Sequence, residues 1–416
     1  MQQEIKLENG ARLLLEEVPG ARSAAFGYFV GAGSRHERAE ENGSAHFIEH
    51  MLFKGTARRT AADLATDMDA IGGQVNAYTT KEHTCFYARS LDRHLDRAVD
   101  ILSDMLLCSN FDQGDVETER GVILEEIGMY EDTPEDLVAE RLSAAVYKNT
   151  PLARPILGTQ ATLAGMTGES LKRWHREHYR AGNIVASLAG SFTPAQVDNI
   201  LSLLSALEPG QESPQARAKY RPAVTARRKN TEQNHLILSF PAMDYMDPRR
   251  YQLLMLNSLL GGGCSSRLFQ EVREKRGICY SVYSYVADHE DVGLQGTYAA
   301  VHPGQEEQAL TVIRNIITDL ADHGPTQAEL DRAREQAAVG LLLGSESIQS
   351  RMSHMGNAAL LYGKVKTVDE ILEEYEAVTV EQLRKLAGEM FDFNRASLSA
   401  VGKVKTIAEY SEWLKK

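Results

Sequence analysis

The sequence predicts an α+β protein of two structurally related halves, each an antiparallel sheet flanked by helices. The chain has 416 residues, about two to three times the usual size of a domain. A strand-like run at 183–190 is followed by the helical pattern TPAQVDNILSLLSAL, and a second run at 394–402 is followed by TIAEYSEWL. The two runs are about 211 residues apart, close to half of the chain, which indicates an internal repeat.

Turn and helix signals order the elements around this repeat. Strand-like runs open the chain, and a helix is expected from the N-cap candidate Ser44 to the stop signal Gly55. The strand-like stretches GGQVNAYTT and HTCFYARSL come next, followed by several helices. The stretch 208–234 is rich in Pro, Gln, Arg and Lys and lacks apolar periodicity, which predicts an interdomain linker. We therefore expect a first domain at 1–212, a linker at 213–233 and a second domain at 234–416.

Composition excludes several classes of protein. The formal net charge of −13 argues against nucleic acid or an anionic membrane as a partner, because both require a dense basic surface. The first residues show no basic segment before an apolar run, and no window approaches 18 apolar residues. The four cysteines are too sparse for a disulfide framework or a CxxC metal site. We therefore expect a cytoplasmic protein with reduced thiols and no membrane span.

The clearest chemical signal is His46-Phe-Ile-Glu49-His50 within the run GSAHFIEHMLFKGT. On a helix, positions i and i+4 lie about 40° apart around the axis, so the two histidines project from one face. The other residues of this run make the helix apolar nearly all round, which predicts burial. Buried imidazoles need partners, and a metal ion bound by both would be one.

A catalytic zinc ion usually takes a third protein ligand and keeps one open position. The segment 117–130 contains two glutamates, Glu119 and Glu126, two helical turns apart. They share a face with a predicted apolar stripe of Val122, Ile123, Ile127 and Tyr130. Glu125 points about 100° away and is expected in solvent. We interpret Glu126 as the third ligand and Glu119 as a partner that orients a histidine or supports Glu126.

Glu49 lies between the histidines but points to the side of the metal. A carboxylate in that position can take a proton from the attacking water and pass it to a leaving amine. These residues therefore predict metal-dependent hydrolysis, and the first domain is its site.

The residues quoted above resemble the pitrilysin or insulinase family of zinc metallopeptidases, which includes the mitochondrial processing peptidases and their bacterial homologues. The order H-x-x-E-H is an inverzincin signature, and E-x6-E follows about seventy residues later. The similarity covers nearly the whole chain, from GAGSRHE and HFIEHMLFKGT to LGGGCSSRLFQEVREKRGICYSV. The resemblance implies zinc, with His46, His50 and Glu126 as ligands, Glu49 as catalytic base and Glu119 in support.

The same resemblance implies a way of holding the substrate. An Arg-x6-Tyr pair in the second half, Arg273 and Tyr280 here, would hold the peptide backbone and help with the developing oxyanion. The substrate would add as a strand to the edge at 73–79, facing Asn76 and Ala77. Family members enclose substrate in a clamshell of four related units, so two chains would form one chamber as a homodimer.

The function expected from the sequence is zinc-dependent endoproteolysis of unfolded peptides or presequence-like segments in a closed chamber. One alternative is a non-catalytic peptide-binding or assembly subunit with a structural metal. Another is a metal-dependent hydrolase that acts on a non-peptide amide.

Overall fold

The computed structural model describes residues 2–210 and 216–415. The chain forms two compact units, each assembled from three segments. The first unit consists of Met1–Ile127, Arg154–Ala216 and Leu342–Lys366, and the second of Gly128–Ala153, Arg217–Leu341 and Thr367–Lys416. The predicted boundary at 212/213 lies outside the described residues, so the division at that point stays a prediction.

The sheet of the first unit has six strands within the described residues. They are β1 (Gln2–Lys6), β2 (Arg12–Glu17), β3 (Ser23–Val30), β4 (Gln74–Thr79), β5 (Thr84–Leu91) and β6 (Ile184–Gly190). Their order in the sheet is β1-β2-β6-β3-β5-β4, and every pair is antiparallel except β2 with β6. β4 therefore lies at an edge of the sheet.

The sheet of the second unit repeats this arrangement. Its described strands are β7 (Val224–Arg228), β8 (Asn234–Ala242), β9 (Cys279–Asp288), β10 (Gly293–Val301) and β11 (Ser397–Gly402). Their order is β7-β11-β8-β10-β9, and β7 with β11 is the one parallel pair among them. β6 and β11, which carry the two halves of the sequence repeat, occupy equivalent positions, so two related α/β halves are confirmed. β7 falls within the predicted linker.

Helices cover the faces of both sheets. In chain order they are α1 (Ser44–Met51), α2 (Ala61–Ala70), α3 (Leu95–Cys108), α4 (Gln113–Asp132), α5 (Pro134–Val146), α6 (Gln160–Ala164), α7 (Gly168–His178), α8 (Pro194–Ser205), α9 (Arg250–Gly261), α10 (Glu306–His323), α11 (Gln327–Glu346), α12 (Ile348–Tyr362), α13 (Val368–Glu376), α14 (Val380–Met390) and α15 (Ile407–Lys415). A span of hydrophobic residues long enough to cross a membrane is found in no helix of the described ranges.

Each unit receives one helix from the opposite half of the sequence. In the first unit α12 packs on β3 and β6, and in the second α5 packs on β8 and β11. The same hydrogen bond anchors both helices. Ser187 Oγ in β6 donates to the carbonyl of Met352 at 2.8 Å, and Ser399 Oγ in β11 donates to the carbonyl of Val138 at 2.8 Å. This exchange explains why neither unit is one continuous stretch of sequence.

The two faces of the first sheet bury different clusters. One face packs against α1 and α3 through buried apolar side chains that include Phe26, Phe47 and Leu102. The opposite face packs against α12, and the cluster buried there includes Phe29, Met352 and Met355. Burial on both faces explains why β3 and β6 read as nearly continuous apolar runs rather than alternating ones.

A glycine in α12 provides a test of this packing. A Cβ atom on Gly356 would lie 2.1 Å from the ring of Phe29, which is fully buried, whereas a Cβ on Gly121 in α4 would meet no atom within 4 Å. Alanine gains about 1 kcal/mol of helix propensity at either position. Overpacking against the ring costs about 1–3 kcal/mol.

We therefore expect Gly356→Ala to lower the thermal unfolding midpoint by a few degrees, and Gly121→Ala to leave it unchanged or raise it. Differential scanning calorimetry of both variants measures the difference. An equal rise in both variants would show that α12 does not pack against Phe29 in this way.

Candidate active site

Helix α1 carries the His46–His50 segment, and an acidic side chain from the preceding loop holds its N-terminus. The carboxylate of Glu37 accepts from the backbone N–H of Gly43 at 2.9 Å and of Ala45 at 2.8 Å, and from the Asn42 amide at 2.8 Å. Burial raises the pKa of Glu37 to about 8, an effect that these three hydrogen bonds oppose. The predicted cap at Ser44 is wrong: Ser44 is the first residue of the helix, and its hydroxyl donates to the carbonyl of Glu41.

The apolar side chains of α1 are buried, as the sequence predicts. Phe47, Ile48 and Met51 are at most 1% exposed, and His46 is 7% exposed. The aromatic rings of His46 and His50 face the same side, with centroids 4.7 Å apart. The i, i+4 spacing therefore places two imidazoles side by side in mostly apolar surroundings.

Helix α4 brings a carboxylate to these imidazoles. Oε2 of Glu126 is 3.5 Å from Nε2 of His46 and 3.7 Å from Nε2 of His50. One ligand atom from each of the three residues lies within 4.8 Å of the others, and no other such cluster of His, Cys, Asp or Glu occurs in the described parts of the chain. The structure thus brings together the three residues predicted as metal ligands.

The spacing of these atoms suits a tetrahedral metal ion. Atoms bonded to tetrahedral zinc at about 2.0–2.2 Å stand about 3.3–3.6 Å from one another. The two distances from Glu126, 3.5 and 3.7 Å, are close to that value. Two imidazole nitrogens and one carboxylate oxygen are also a usual donor set for catalytic zinc, so these residues fit the ion.

The electrostatics of the site favour a neutral histidine. Burial, and secondarily the charge of His50, lowers the pKa of His46 to about 3, so its imidazole is neutral and has a free lone pair at physiological pH. Burial raises the pKa of Glu126, an effect that the charge of His50 opposes. A bound cation would stabilise the carboxylate of Glu126 and so oppose this rise too.

Glu119 contacts one histidine and one lysine. Its Oε2 atom accepts from Nδ1 of His50 at 3.0 Å, and its Oε1 atom is 2.6 Å from Nζ of Lys54. The sequence left open whether Glu119 orients a histidine or supports Glu126, and the contact present is with His50. Lys54 was not singled out from the sequence, although it lies four residues after His50.

Glu49 is held beside the cluster by the end of the edge strand. Thr79 Oγ1 in β4 donates to Oε2 of Glu49 at 2.5 Å. Burial raises the pKa of Glu49, the Thr79 hydroxyl and the charge of His50 lower it, and the charge of Glu126 raises it. Sequence reasoning missed Thr79, whose role depends on strand β4 meeting helix α1.

Asn76 and Ala77 lie in the middle of β4, at the free edge of the sheet. Asn76 is exposed, and its Oδ1 atom accepts from the backbone N–H of Ala77 at 2.9 Å. An exposed edge with backbone groups outside the ladder is a template for an added strand. These two residues are therefore placed where an added strand would contact them.

Arg273 and Tyr280 lie together in the second unit. Arg273 is on a π-helix at Phe269–Glu274, and its guanidinium carbon is 4.6 Å from the ring centroids of both Phe269 and Tyr280. Tyr280, the second residue of edge strand β9, is 76% exposed. Arg273 and Tyr280, which are seven residues apart, therefore belong to one cation–π cluster, and the Tyr280 side chain is exposed to solvent.

The predicted apolar stripe of α4 is only partly correct. Val122 is 47% exposed and Tyr130 is 42% exposed, whereas Val116, Glu119 and Ile123 are buried. Burial thus follows the i, i+3, i+7 positions of one narrow face. Glu125 is exposed, as expected.

Together, the fold and the site define a class of protein: a chain of two related α/β units in which a buried H-x-x-E-H helix meets a glutamate of a second helix. Two family models match the sequence of this chain. The family described as Insulinase (Peptidase family M16) matches residues 12–160, and the one described as Peptidase M16 inactive domain matches residues 165–337. The chain belongs to the M16 peptidase family.

Curated relatives agree with this assignment. A protein of Bacillus subtilis (strain 168) named an uncharacterized zinc protease is 42% identical over 95% of this chain and 98% of its own length. An uncharacterized zinc protease of Streptomyces coelicolor is 40% identical over 96% of this chain and 89% of its own.

Solved structures show the same fold. A peptidase M16 inactive domain from Pseudomonas fluorescens superposes with a TM-score of 0.91 at 22% identity and covers 98% of both chains. A protease from Helicobacter pylori superposes with a TM-score of 0.90 at 19% identity, over 97% of this chain and 99% of its own.

The candidate ligands make a direct prediction about metal content. His50→Ala and Glu126→Gln each remove one donor of three, so we expect both variants to lose most of their zinc after gel filtration. Glu125→Gln, an adjacent substitution on the exposed face, is the matched control and is expected to keep its zinc. Elemental analysis by mass spectrometry gives the stoichiometry. Full occupancy in Glu126→Gln would rule out this carboxylate as a ligand.

Proposed function

We propose that the protein is a zinc-dependent endopeptidase in which Glu49 is the catalytic base. The observation that carries this is the close approach of His46, His50 and Glu126, with a second carboxylate, that of Glu49, on the same helix as the histidines and held by Thr79. Membership in the M16 family and the zinc protease names of its relatives support the same chemistry.

The metal ion and Glu49 have different roles in the proposed reaction. Zinc, when bound, supplies a Lewis acid that polarises the scissile carbonyl and lowers the pKa of water. Glu49 takes the proton from the attacking water and delivers it to the leaving amine. Burial makes this carboxylate a better proton acceptor by raising its pKa, while the Thr79 hydroxyl holds one of its oxygens in place. Glu119 orients His50 through the 3.0 Å contact with its Nδ1 atom.

The substrate proposed for this site is an unfolded peptide or presequence-like segment that adds to β4. Asn76 and Ala77 would contact the peptide backbone at the edge, and Thr79 at the end of the same strand contacts the base. An extended peptide bound along β4 would therefore lie next to the reacting groups. Such a peptide must be extended and have free backbone N–H and C=O groups, which favours unfolded substrates.

The second unit is proposed to hold the substrate of a partner chain. Arg273 is fixed between two aromatic rings, so its guanidinium is oriented in advance, and the adjacent Tyr280 is exposed. In a homodimer that closes as a clamshell, this pair would reach the peptide bound at the zinc site of the other chain. The cytoplasmic location expected from the sequence remains a prediction.

Glu49→Gln separates metal binding from proton transfer. Glutamine has nearly the same shape but cannot accept the proton, so we expect normal zinc content and a loss of peptide hydrolysis of about 10²–10⁴-fold. Cleavage of a quenched fluorescent peptide measures the rate, and Glu125→Gln controls for the loss of one carboxylate. Unchanged cleavage by Glu49→Gln would contradict the assignment of the base.

Digestion of a peptide library, with and without chelator, distinguishes this function from its alternatives. An endopeptidase yields internal cleavage products that disappear with chelator and return with zinc. A peptide-binding subunit with a structural metal would retain peptides without cleaving them, and a hydrolase of small amides would leave the library intact.

Mixing two inactive variants tests the proposed dimer. Arg273→Ala removes the substrate-holding group and Glu49→Gln removes the base, so a mixed dimer has one site with both groups intact. We expect partial recovery of activity in the mixture. Each mixed dimer can reach at most about half of the wild-type activity, because one of its two sites is complete. Absence of recovery, with mixed dimers confirmed by native mass spectrometry, would contradict the shared site.

A further inference from the structure

Lys54 lies just beyond the C-terminus of α1 and contacts the carboxylate that holds His50. Its Nζ atom is 2.6 Å from Oε1 of Glu119, while Oε2 of Glu119 is 3.0 Å from Nδ1 of His50. We propose that Lys54 is a positioning residue for His50 that acts through Glu119. The inference rests on the metal site of the proposed function and adds a residue to it.

The two oxygens of Glu119 have separate partners. Glu119 is 3% exposed, and a buried carboxylate requires a compensating positive charge. Lys54 supplies that charge at Oε1, which leaves Oε2 to accept the Nδ1 hydrogen of His50. With the hydrogen on Nδ1, the lone pair of His50 is on Nε2, the atom that faces Glu126. Lys54 thus stabilises the tautomer and ring orientation that a metal ligand needs.

The backbone sets the position of Lys54 independently of its ammonium group. The N–H of Lys54 donates to the carbonyl of Met51 at 3.0 Å, which continues the end of the helix. Three residues later, the N–H of Ala57 donates to the carbonyl of Cys108 at 3.0 Å and ties the loop to the end of α3. Replacing the side chain therefore removes the ion pair without releasing the loop.

Two effects of removing Lys54 have opposite signs. Loss of a positive charge near a cation site favours metal binding, whereas loss of the support for His50 weakens it. The first effect arises because removal of Lys54, 2.6 Å from Glu119, leaves the Glu119 carboxylate with an uncompensated negative charge near the site. Loss of an outer contact to a metal ligand typically weakens affinity by about 10–100-fold. Weaker binding therefore identifies the positioning role, since the charge effect alone would tighten binding.

The experiment measures zinc affinity of the full-length protein by competition with a chelating dye. We expect Lys54→Met and Lys54→Gln to bind zinc about 10–100-fold more weakly than wild type, and Lys54→Arg, which keeps the charge, to recover much of the loss. Lys405→Met is the control, because Lys405 forms a more exposed ion pair with Glu307 at 2.9 Å in the second unit. This control is expected to bind zinc like wild type.

A double-variant cycle tests whether Lys54 acts through Glu119. Zinc binding by Lys54→Met combined with Glu119→Gln should be no weaker than binding by Glu119→Gln alone. Additive losses, or unchanged or tighter binding by the single Lys54 variants, would overturn the inference. Failure of the wild-type protein to bind zinc would instead contradict the proposed function itself, so the two failures are distinguishable.

Discussion

Two imidazoles and a carboxylate are held close together in a largely apolar region, and most features of the first unit serve that arrangement. Phe47 and Ile48 bury α1 against the sheet, and Glu37 holds its N-terminus. His46 is buried, and His50 and Glu126 are half-buried. Polar groups removed from water are costly unless they are paired, and one divalent cation would pair all three. We therefore propose that a metal ion completes this part of the first unit.

Residues that share one helix could be read from the sequence. The spacing of His46 and His50 sets their common face, and the two turns between Glu119 and Glu126 place both on one side of α4. These relations depend only on helical geometry, so no tertiary information was needed. The repeat was also visible, because the equivalent interior strands β6 and β11 have similar apolar runs.

Contacts between distant segments were beyond sequence reasoning. Thr79 reaches Glu49 from a strand thirty residues away, and Glu37 reaches the start of α1 from a loop, although a serine stood at the expected cap position. The exchange of α5 and α12 between units was equally hidden. Periodicity shows that a helix has an apolar face, but it does not show which sheet that face covers.

Anomalous diffraction at the zinc absorption edge, from crystals of the zinc-loaded protein, would locate the metal ion. We expect one strong peak in each chain, about 2.0–2.2 Å from Nε2 of His46, Nε2 of His50 and a carboxylate oxygen of Glu126. Glu49 is expected outside bonding distance of that peak. A peak at other residues, or direct ligation by Glu49 in place of Glu126, would show that these three residues are not the zinc ligands.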